Sequence, residues 1–411
     1  MRILFLTHYY PPEVNAPANR VHEHARAWVK DGHQVTVITG VPNHPTGRLF
    51  PGYENRFGEE TIDGVRVVRT WMLLAANAGF ARRIANYLLF LCTALVASVR
   101  MERPDVVVAT SPQFFCGVAG ALVALAKRRP FVLEVRDLWP DSIVQLGQLR
   151  NPAIIRLLEG IETWLYRRAD AVVVLTKAFA RHVAARGVPE REIALVYNGI
   201  DAEAFRPRPR DEALLARAGL RDAFTVAYVG TLGLAHGLVQ VLEAAERLAD
   251  AMPDLHLVFI GEGADRARIE REAKRRGIAH VHFTGLLPRD EIPGWLSSLD
   301  VLLVMLRDLA VFETVIPSKI FEYLALERPI VLASPRASEI RAMVEEADVG
   351  LSVDAENPQA LADAIRAIRM HPDEAAARAA RGREWVIRDF LRDDLARRMA
   401  ARLRAVVEAA S

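Results

Sequence analysis

Short, continuous apolar runs recur along the chain, separated by longer segments with helical spacing. In the first half the runs fall at Arg2–Thr7, Gln34–Thr39, Val65–Thr70, Asp105–Thr110, Phe131–Val135, Ala171–Leu175 and Ile193–Tyr197. Most are unbroken rather than alternating, which is how parallel strands covered on both faces read. Helical spacing fills intervals such as Ala18–Lys30 and Cys116–Arg128. Strand and helix in regular alternation predict a doubly wound α/β architecture.

The pattern then breaks and restarts. Asn198-Gly199-Ile200-Asp201 carries a turn signal, and Phe205-Arg206-Pro207-Arg208-Pro209-Arg210 continues neither strand nor helix. A second series follows at Thr225–Val229, Leu255–Ile260, His280–Thr284, Val301–Met305, Ile330–Ala333 and Gly350–Val353. Two Rossmann-like domains facing a cleft are therefore expected, over residues 1–203 and 204–385. Helical spacing fills the remainder, and the run Arg381–Val407 is long enough to leave the second domain. Residues 386–411 are expected to form a helix returning to the first domain. In such sheets ligands bind beyond the carboxyl ends of the strands, so the segments just after each run are where chemistry belongs.

Composition narrows the classes. A length of 411 residues suits two domains, and the formal charge of +2 comes from interspersed acids and bases with no basic tail. Nucleic acid is not an expected partner. Cys92 and Cys116 are the only cysteines and lack metal-ligand spacing, which fits a reducing compartment. The first strand starts at once, without the apolar core of a signal peptide. The segment Ile84–Val99 is almost wholly apolar, with Arg82-Arg83 before it and Arg100 after it. It is shorter than the roughly 20 residues of a membrane span. Its length favours a buried helix. The flanking arginines make residues 82–100 a candidate for lying on an anionic membrane surface.

Ile316-Pro317-Ser318-Lys319-Ile320-Phe321-Glu322-Tyr323-Leu324-Ala325 is the most informative segment. Pro317 suits a helix start. Lys319 then lies in the first turn, where the helix dipole disfavours a cation, and Lys before Glu is the poorer order for a helical pair. An anionic ligand supplies the missing reason for the lysine. Glu322 is placed to accept hydrogen bonds from ribose, so the pair suggests a nucleotide site. The loop Gly230-Thr231-Leu232-Gly233-Leu234-Ala235-His236-Gly237 does not match the dinucleotide fingerprint, yet it joins a strand to a helix and lets backbone N–H groups approach a diphosphate. Gly261-Glu262-Gly263 and Phe283-Thr284-Gly285 close two further strands, the second placed to flank a base. In the first domain, the candidates after the strands are the proline-rich loop His8–Pro17 with Asn15, the helix residue Arg20, Asn43, and the pair Arg136-Asp137. The plain alternative for Arg136 and Asp137 is a structural ion pair. No Asp-x-Asp and no His or Cys cluster with metal spacing occurs.

In this order, these segments resemble the family 4 glycosyltransferases of the GT-B superfamily over almost the whole chain. The resemblance is carried by Tyr10-Pro11-Pro12-Glu13, Gly32–Thr39, Asn198-Gly199-Ile200-Asp201 with Phe205 and Pro207, Gly230–Gly237, and Pro317-Ser318-Lys319 with Glu322-Tyr323-Leu324-Ala325. Asn43, Arg136-Asp137-Leu138-Trp139-Pro140 and Pro317-Ser318-Lys319 together look most like the bacterial surface-polysaccharide branch. There are departures. Thr231 and His236 stand where the wider family has Arg and Lys, Thr314 stands at the first position of its paired-glutamate motif, Arg136 replaces a His, and Asn15-Ala16 replaces a glycine pair.

The resemblance implies a retaining transfer of a sugar from a nucleoside diphosphate-sugar, UDP favoured, to a glycan or polyprenyl diphosphate-linked acceptor, with no obligatory metal and no cofactor. It assigns catalysis to Lys319, Arg136 and Asp137. Donor binding falls to Gly230, Thr231, Gly233, His236, Gly263, Gly285, Ser318 and Glu322, and the acceptor side to Asn15, Arg20 and Asn43. The expected location is the cytoplasm, at the inner face of the plasma membrane. Two alternatives share the architecture: a nucleotide-sugar 2-epimerase using Asp137 as acid–base group, and a binding subunit without activity.

Overall fold

The structure is a computed structural model. It describes residues 1–410 apart from Pro45, 75–79, Pro112 and Leu146, together with the side chains of those residues except Phe80, Ala81 and Ala235. The chain divides into two compact units, Met1–Asn198 with Arg392–Ser411, and Gly199–Leu391.

The first unit is built on an eight-stranded sheet. Its strands are β1 (Arg2–Leu6), β2 (Gln34–Gly40), β3 (Gly58–Ile62), β4 (Val65–Thr70), β5 (Val106–Thr110), β6 (Phe131–Val135), β7 (Ala171–Val174) and β8 (Ile193–Leu195). Their order is β3-β4-β2-β1-β5-β6-β7-β8, and every pairing except β3–β4 is parallel. Strand β3 is an element that apolar runs could not reveal, because Gly58–Ile62 reads GEETI and is mostly solvent-facing. The signal for it is Asp63-Gly64, both at positive φ (49° and 79°), the tight turn that favours an antiparallel hairpin.

The second unit has six parallel strands: β9 (Phe224–Val229), β10 (Leu255–Ile260), β11 (Val281–Gly285), β12 (Val301–Met305), β13 (Ile330–Ser334) and β14 (Leu351–Asp354). Their order is β11-β10-β9-β12-β13-β14. In each sheet the order reverses beside the first strand of the unit, between β1 and β5 and between β9 and β12. These reversals open crevices at the carboxyl ends of the strands, where doubly wound sheets take ligands.

The chain ends as two helices, with a break inside the helical run Arg381–Val407; the helix expected over residues 386–411 begins at Arg392. Helix Pro372–Asp389 belongs to the second unit and helix Arg392–Ala409 to the first. Between them the chain is held extended: Ile200 N–H donates to the Phe390 carbonyl at 2.8 Å, Leu391 bridges Ile200, and the Phe390 ring packs on Phe321 and Trp385. The final helix lays Leu395, Met399 and Leu403 into the core formed by Phe5, Trp28, Val37 and Val108. The Trp28 indole N–H donates to the Ala396 carbonyl at 2.8 Å. The unit boundaries lie at 198 and 391, rather than at 203 and 385, because Ile200 and Phe390 secure one another within the second unit.

Helix Phe80–Val99 is four residues longer at its start than the apolar segment itself, which gives it the length and composition of a membrane span. It is not enclosed by protein. Phe90, Thr93, Ala94 and Ala97 face inwards, while Leu88, Cys92, Val96 and Val99 are exposed. Helix Phe114–Lys127 covers its inner side.

Leu403 is fully buried in the first unit's core. Leu403→Ala should therefore destabilise that unit by about 2–5 kcal/mol, the usual cost of a truncated core leucine. Denaturant unfolding of the full chain, followed by Trp fluorescence, reads this as an earlier first transition.

Candidate functional site

In the second unit, the loops after β9 and β12 flank the point where the strand order reverses. Lys319 opens helix Lys319–Ala325, two residues later than Pro317 suggested. With seven residues this helix contributes little dipole, so the side chain and not the helix end is the electrostatic feature. The ammonium lies under the glycine loop. Its Nζ donates to the Val229 carbonyl at 2.7 Å and sits 4.0 Å from the centre of the Tyr228 ring. The Tyr323 hydroxyl donates to the same carbonyl at 3.2 Å, and the Tyr228 hydroxyl donates to the Thr231 carbonyl at 3.1 Å. Gly230 (φ 132°) makes room for the lysine, since a Cβ there would stand 2.8 Å from Nζ.

Burial pulls the Lys319 ammonium down to about 7, against the opposing pull of Glu322. A cation in this setting lacks the hydration it would have in water, and its partners among the described residues are one carbonyl and one ring. His236 donates through Nδ1 to the Met305 carbonyl at 3.1 Å. Burial, and then the neighbouring Lys319, hold its imidazole below the ordinary range, so at neutral pH the remaining Nε2 is an acceptor. A neutral His236 therefore suits a hydroxyl donor better than a phosphate oxygen. Ser318 is exposed, and its hydroxyl makes no capping bond among the described residues. Glu322 is half-buried one turn further on.

The other donor-side glycines hold loops against one another. Gly230 N–H donates to the Ile260 carbonyl, Gly261 N–H to the Gly285 carbonyl, and Leu232 N–H to the Glu262 carbonyl, all between 2.8 and 2.9 Å. A Cβ on Gly261 or Gly263 would collide with the backbone of Gly230 or Leu232. Gly233 lies in extended backbone just before the short helical turn at Leu234–His236, and Thr231 is exposed. The structure thus brings Gly230, Thr231, Gly233, His236, Gly263, Ser318, Lys319 and Glu322 to the carboxyl edge of one sheet, with Gly285 at the end of the outer strand β11.

In the first unit the reversal lies between β1 and β5, and Asn15, Asn43, Arg136 and Asp137 stand on loops at that edge. Asn15 caps helix Ala16–Lys30: its Oδ1 accepts from Ala18 N–H at 2.9 Å, while its Nδ2 is buried without a hydrogen-bond partner among the described residues. Arg136 N–H donates to Ser111 Oγ at 2.7 Å, which fixes the end of β6 against the end of β5. Asp137 does not pair with Arg136; its carboxylate accepts from Ser142 Oγ at 3.1 Å, and burial raises its pKa. The ion-pair reading of Arg136 and Asp137 is not what the structure shows.

Two residues assigned to the acceptor side are engaged within the protein. Arg20 is spent as an internal strut, with Nε on Glu134 at 2.9 Å, Nη1 on the Tyr197 carbonyl at 2.7 Å and Nη2 on the Val196 carbonyl at 2.9 Å. Asn43 is buried, with its side-chain NH2 on the Val41 carbonyl at 2.8 Å. Both fix loops in place. Two residues had gone unassigned. Glu13, within the Tyr10-Pro11-Pro12-Glu13 motif, accepts from the N–H groups of Asn43 (3.0 Å), His44 (2.9 Å) and Tyr10 (3.4 Å), tying the loop after β1 to the loop after β2. Glu134 accepts from Arg20 and from Thr110 Oγ1 at 2.6 Å. The available signal was an acid inside a strand otherwise made of Phe, Val and Leu. Among the described residues no group of three His, Cys, Asp or Glu side chains is arranged to hold a metal.

Both halves of the chain are similar to known proteins. Residues 15–199 match the glycosyl transferase 4-like domain, and residues 215–385 match the glycosyl transferases group 1 domain. The putative colanic acid biosynthesis glycosyl transferase WcaI of Escherichia coli is 24% identical over 96% of this chain and 99% of its own. A GDP-mannose-dependent phosphatidylinositol monomannoside mannosyltransferase of Mycobacterium tuberculosis is 27% identical over 70% of this chain and 74% of its own. Among solved structures, sucrose-phosphate synthase from Thermosynechococcus elongatus superposes with a TM-score of 0.78 at 18% identity, covering 99% of both chains. HepE from Anabaena, in complex with UDP and glucose, gives 0.69 at 18% identity, covering 98% of both chains. With its two parallel-sheet α/β domains of the GT-B kind and its two matched domains, the chain belongs to the family 4 glycosyltransferases.

Proposed function

We propose that this glycosyltransferase moves a hexosyl or N-acetylhexosaminyl group, with retention of anomeric configuration, from a UDP-sugar to a polyprenyl diphosphate-linked precursor of a surface polysaccharide. The observation that carries the reading is Lys319, a largely buried ammonium held under the glycine loop at the reversal of the second sheet. Bond cleavage at the anomeric carbon leaves negative charge on the departing diphosphate. A preorganised cation with loop N–H groups stabilises that charge as it grows. Ser318 adds a hydroxyl, Glu322 holds the ribose, and the Gly261–Gly263 and Gly285 backbone borders the base. Asp137 and Asn15 serve the acceptor. The lysine supplies the charge that a divalent metal would otherwise supply, so no obligatory metal is required. UDP is favoured as the nucleotide because HepE, of the same fold, is described with UDP and with UDP-glucose. The polysaccharide setting follows the relative WcaI, named for colanic acid biosynthesis, and the polyprenyl diphosphate carrier follows the resemblance to the surface-polysaccharide branch.

We further propose that the protein works in the cytoplasm at the inner face of the plasma membrane. Helix Phe80–Val99 carries an exposed apolar stripe at Leu88, Val96 and Val99, has no acidic residue, and begins beside exposed Arg82. An apolar face with cationic flanks suits an anionic lipid surface. Liposomes rich in anionic lipid should co-sediment with the wild type, and less with Val96→Glu or with Arg82→Glu/Arg83→Glu. Equal sedimentation of all three would remove the helix from the contact.

For the donor, UDP at about 100 times its Kd should stabilise the fold by roughly 2.7 kcal/mol, with or without EDTA. Glu322→Ala should lose that shift, whereas a larger shift with GDP or ADP would reassign the base. Lys319→Ala should lower transfer to the acceptor by about a hundredfold or more, the scale of removing one oxyanion-type donor. Interconversion of nucleotide sugars without an acceptor would instead select the epimerase.

The pH dependence has a definite sign. Free Lys319 is charged below about 7 and loses its proton above that value, whereas a bound diphosphate keeps the proton on. UDP binding should therefore weaken as pH rises from 7 to 9, by at most about tenfold per unit, with proton uptake on binding. Calorimetry in buffers of different ionisation enthalpy measures that uptake, and Lys319→Ala should abolish it.

A further inference from the structure

The first unit contains a buried charge cluster that does not balance. Helix Ala16–Lys30 contributes Arg20, Glu23 and His24, β6 contributes Glu134, its end contributes Arg136, and the final helix contributes Arg392. Arg20 pairs with Glu134 at 2.9 Å, both almost without solvent exposure. Arg392 pairs with Glu23 at 2.7 Å, both largely buried. His24 is held down to about 3 by burial and then by Arg20, so it carries no charge at neutral pH. Arg136 is left over. Burial lowers its guanidinium to about 10, opposed by Glu134, aggravated by Arg20 and opposed more weakly by Glu23, which still leaves it charged. Three guanidinium cations thus face two carboxylates.

The hydrogen bonds tell the same story. The second oxygen of Glu134 is taken by Thr110. Asp137 turns its carboxylate to Ser142. Arg136 Nε and Nη1 are buried and meet no acceptor among the described residues. An interior guanidinium with unmet donors carries the full cost of lost hydration, and proteins retain such a group where a ligand completes it. The residue keeps some solvent exposure, so the cluster has an approach from outside. It stands at the carboxyl end of β6, secured to Ser111 after β5, at the ligand-binding edge of the sheet.

We propose that the first unit has an anion subsite of its own, built on the Arg136 guanidinium, which receives the diphosphate of the acceptor. The planar fork of an arginine suits two phosphate oxygens at once. The excess of one positive charge matches an anion that enters and leaves with the substrate, rather than a permanent carboxylate partner. The naming of the natural ligand rests on the transferase reading; the anion site itself does not.

Inorganic pyrophosphate is the probe, titrated into the full chain by calorimetry. Lys319→Ala removes the donor-side cation, and this variant should still bind pyrophosphate. Adding Arg136→Gln to it should weaken the remaining binding by about 10- to 100-fold, the range for losing a charge-assisted hydrogen bond. Adding Arg136→Lys instead, which keeps the charge without the fork, should restore part of it and guards against a folding defect. Arg136→Gln alone should leave UDP affinity unchanged. The proposal is overturned if Lys319→Ala binds no pyrophosphate at millimolar concentration, if Arg136→Gln leaves the remaining binding intact, or if Arg136→Gln weakens UDP as much as pyrophosphate. Loss of UDP binding in Lys319→Ala is read separately and tests the donor site alone.

Discussion

The contact between the Lys319 ammonium and the Val229 carbonyl is the constraint around which the second unit's site is arranged. For that contact to form, the chain must leave β9 without a side chain at residue 230, because the lysine occupies the space a Cβ would need. The loop must then lie close to the next one, which requires Gly261 and Gly263 to have no Cβ either. Tyr228 and Tyr323 complete the enclosure, one as an aromatic face under the cation and both as hydroxyl donors to the loop backbone. Ordinary packing would not select a buried ammonium here, since replacing its water shell with one carbonyl and one ring is costly. In the proposed function a diphosphate supplies the remaining partners.

The first unit answers the same geometric problem with carboxylates. In its loops after β1 and β2, Glu13 ties the two together by accepting three backbone N–H groups. Burial raises the Glu13 carboxyl while those same bonds lower it, so the tie is strongest when the group is ionised. Arg20 does for the end of β8 what Glu13 does for β2, holding the Val196 and Tyr197 carbonyls. The loops at this edge are therefore fixed by internal ionic struts, and the residues left for a ligand are those the struts do not use.

Much of this was legible in the sequence, for an identifiable reason. Parallel strands buried on both faces are continuous apolar runs, so β1, β2, β4 to β7 and all of β9 to β14 could be read directly, to within a residue or two at their ends. Strand β3 could not, because an edge strand facing solvent has no such run and only Asp63-Gly64 marks it. The break between the last two helices was hidden as well: nothing in the spacing of Arg381–Val407 shows that Phe390 pairs with Ile200, 190 residues earlier. The candidate donor side rests on local motifs, a glycine loop and a lysine at a helix start. The candidate acceptor side does not. Arg20 and Glu134 lie 114 residues apart, and only their contact shows that the arginine is spent and that Arg136 is not.

The two edges share one electrostatic property that neither sequence motif displays. Each holds a positively charged side chain that burial pushes down, Lys319 in one unit and Arg136 in the other. Neither has a carboxylate within ion-pair distance among the described residues, although acids are abundant elsewhere in the chain. Arginines on the outer helices are, by contrast, matched freely, as in Arg276 with Glu243, Glu246 and Glu272. Pairing is thus easy to achieve in this protein and is missing at the edges where ligands belong. A fold with two large cores can tolerate two such uncompensated cations. An enzyme that must accept and release anions benefits from them, because a permanent internal partner would compete with substrate for the same donors.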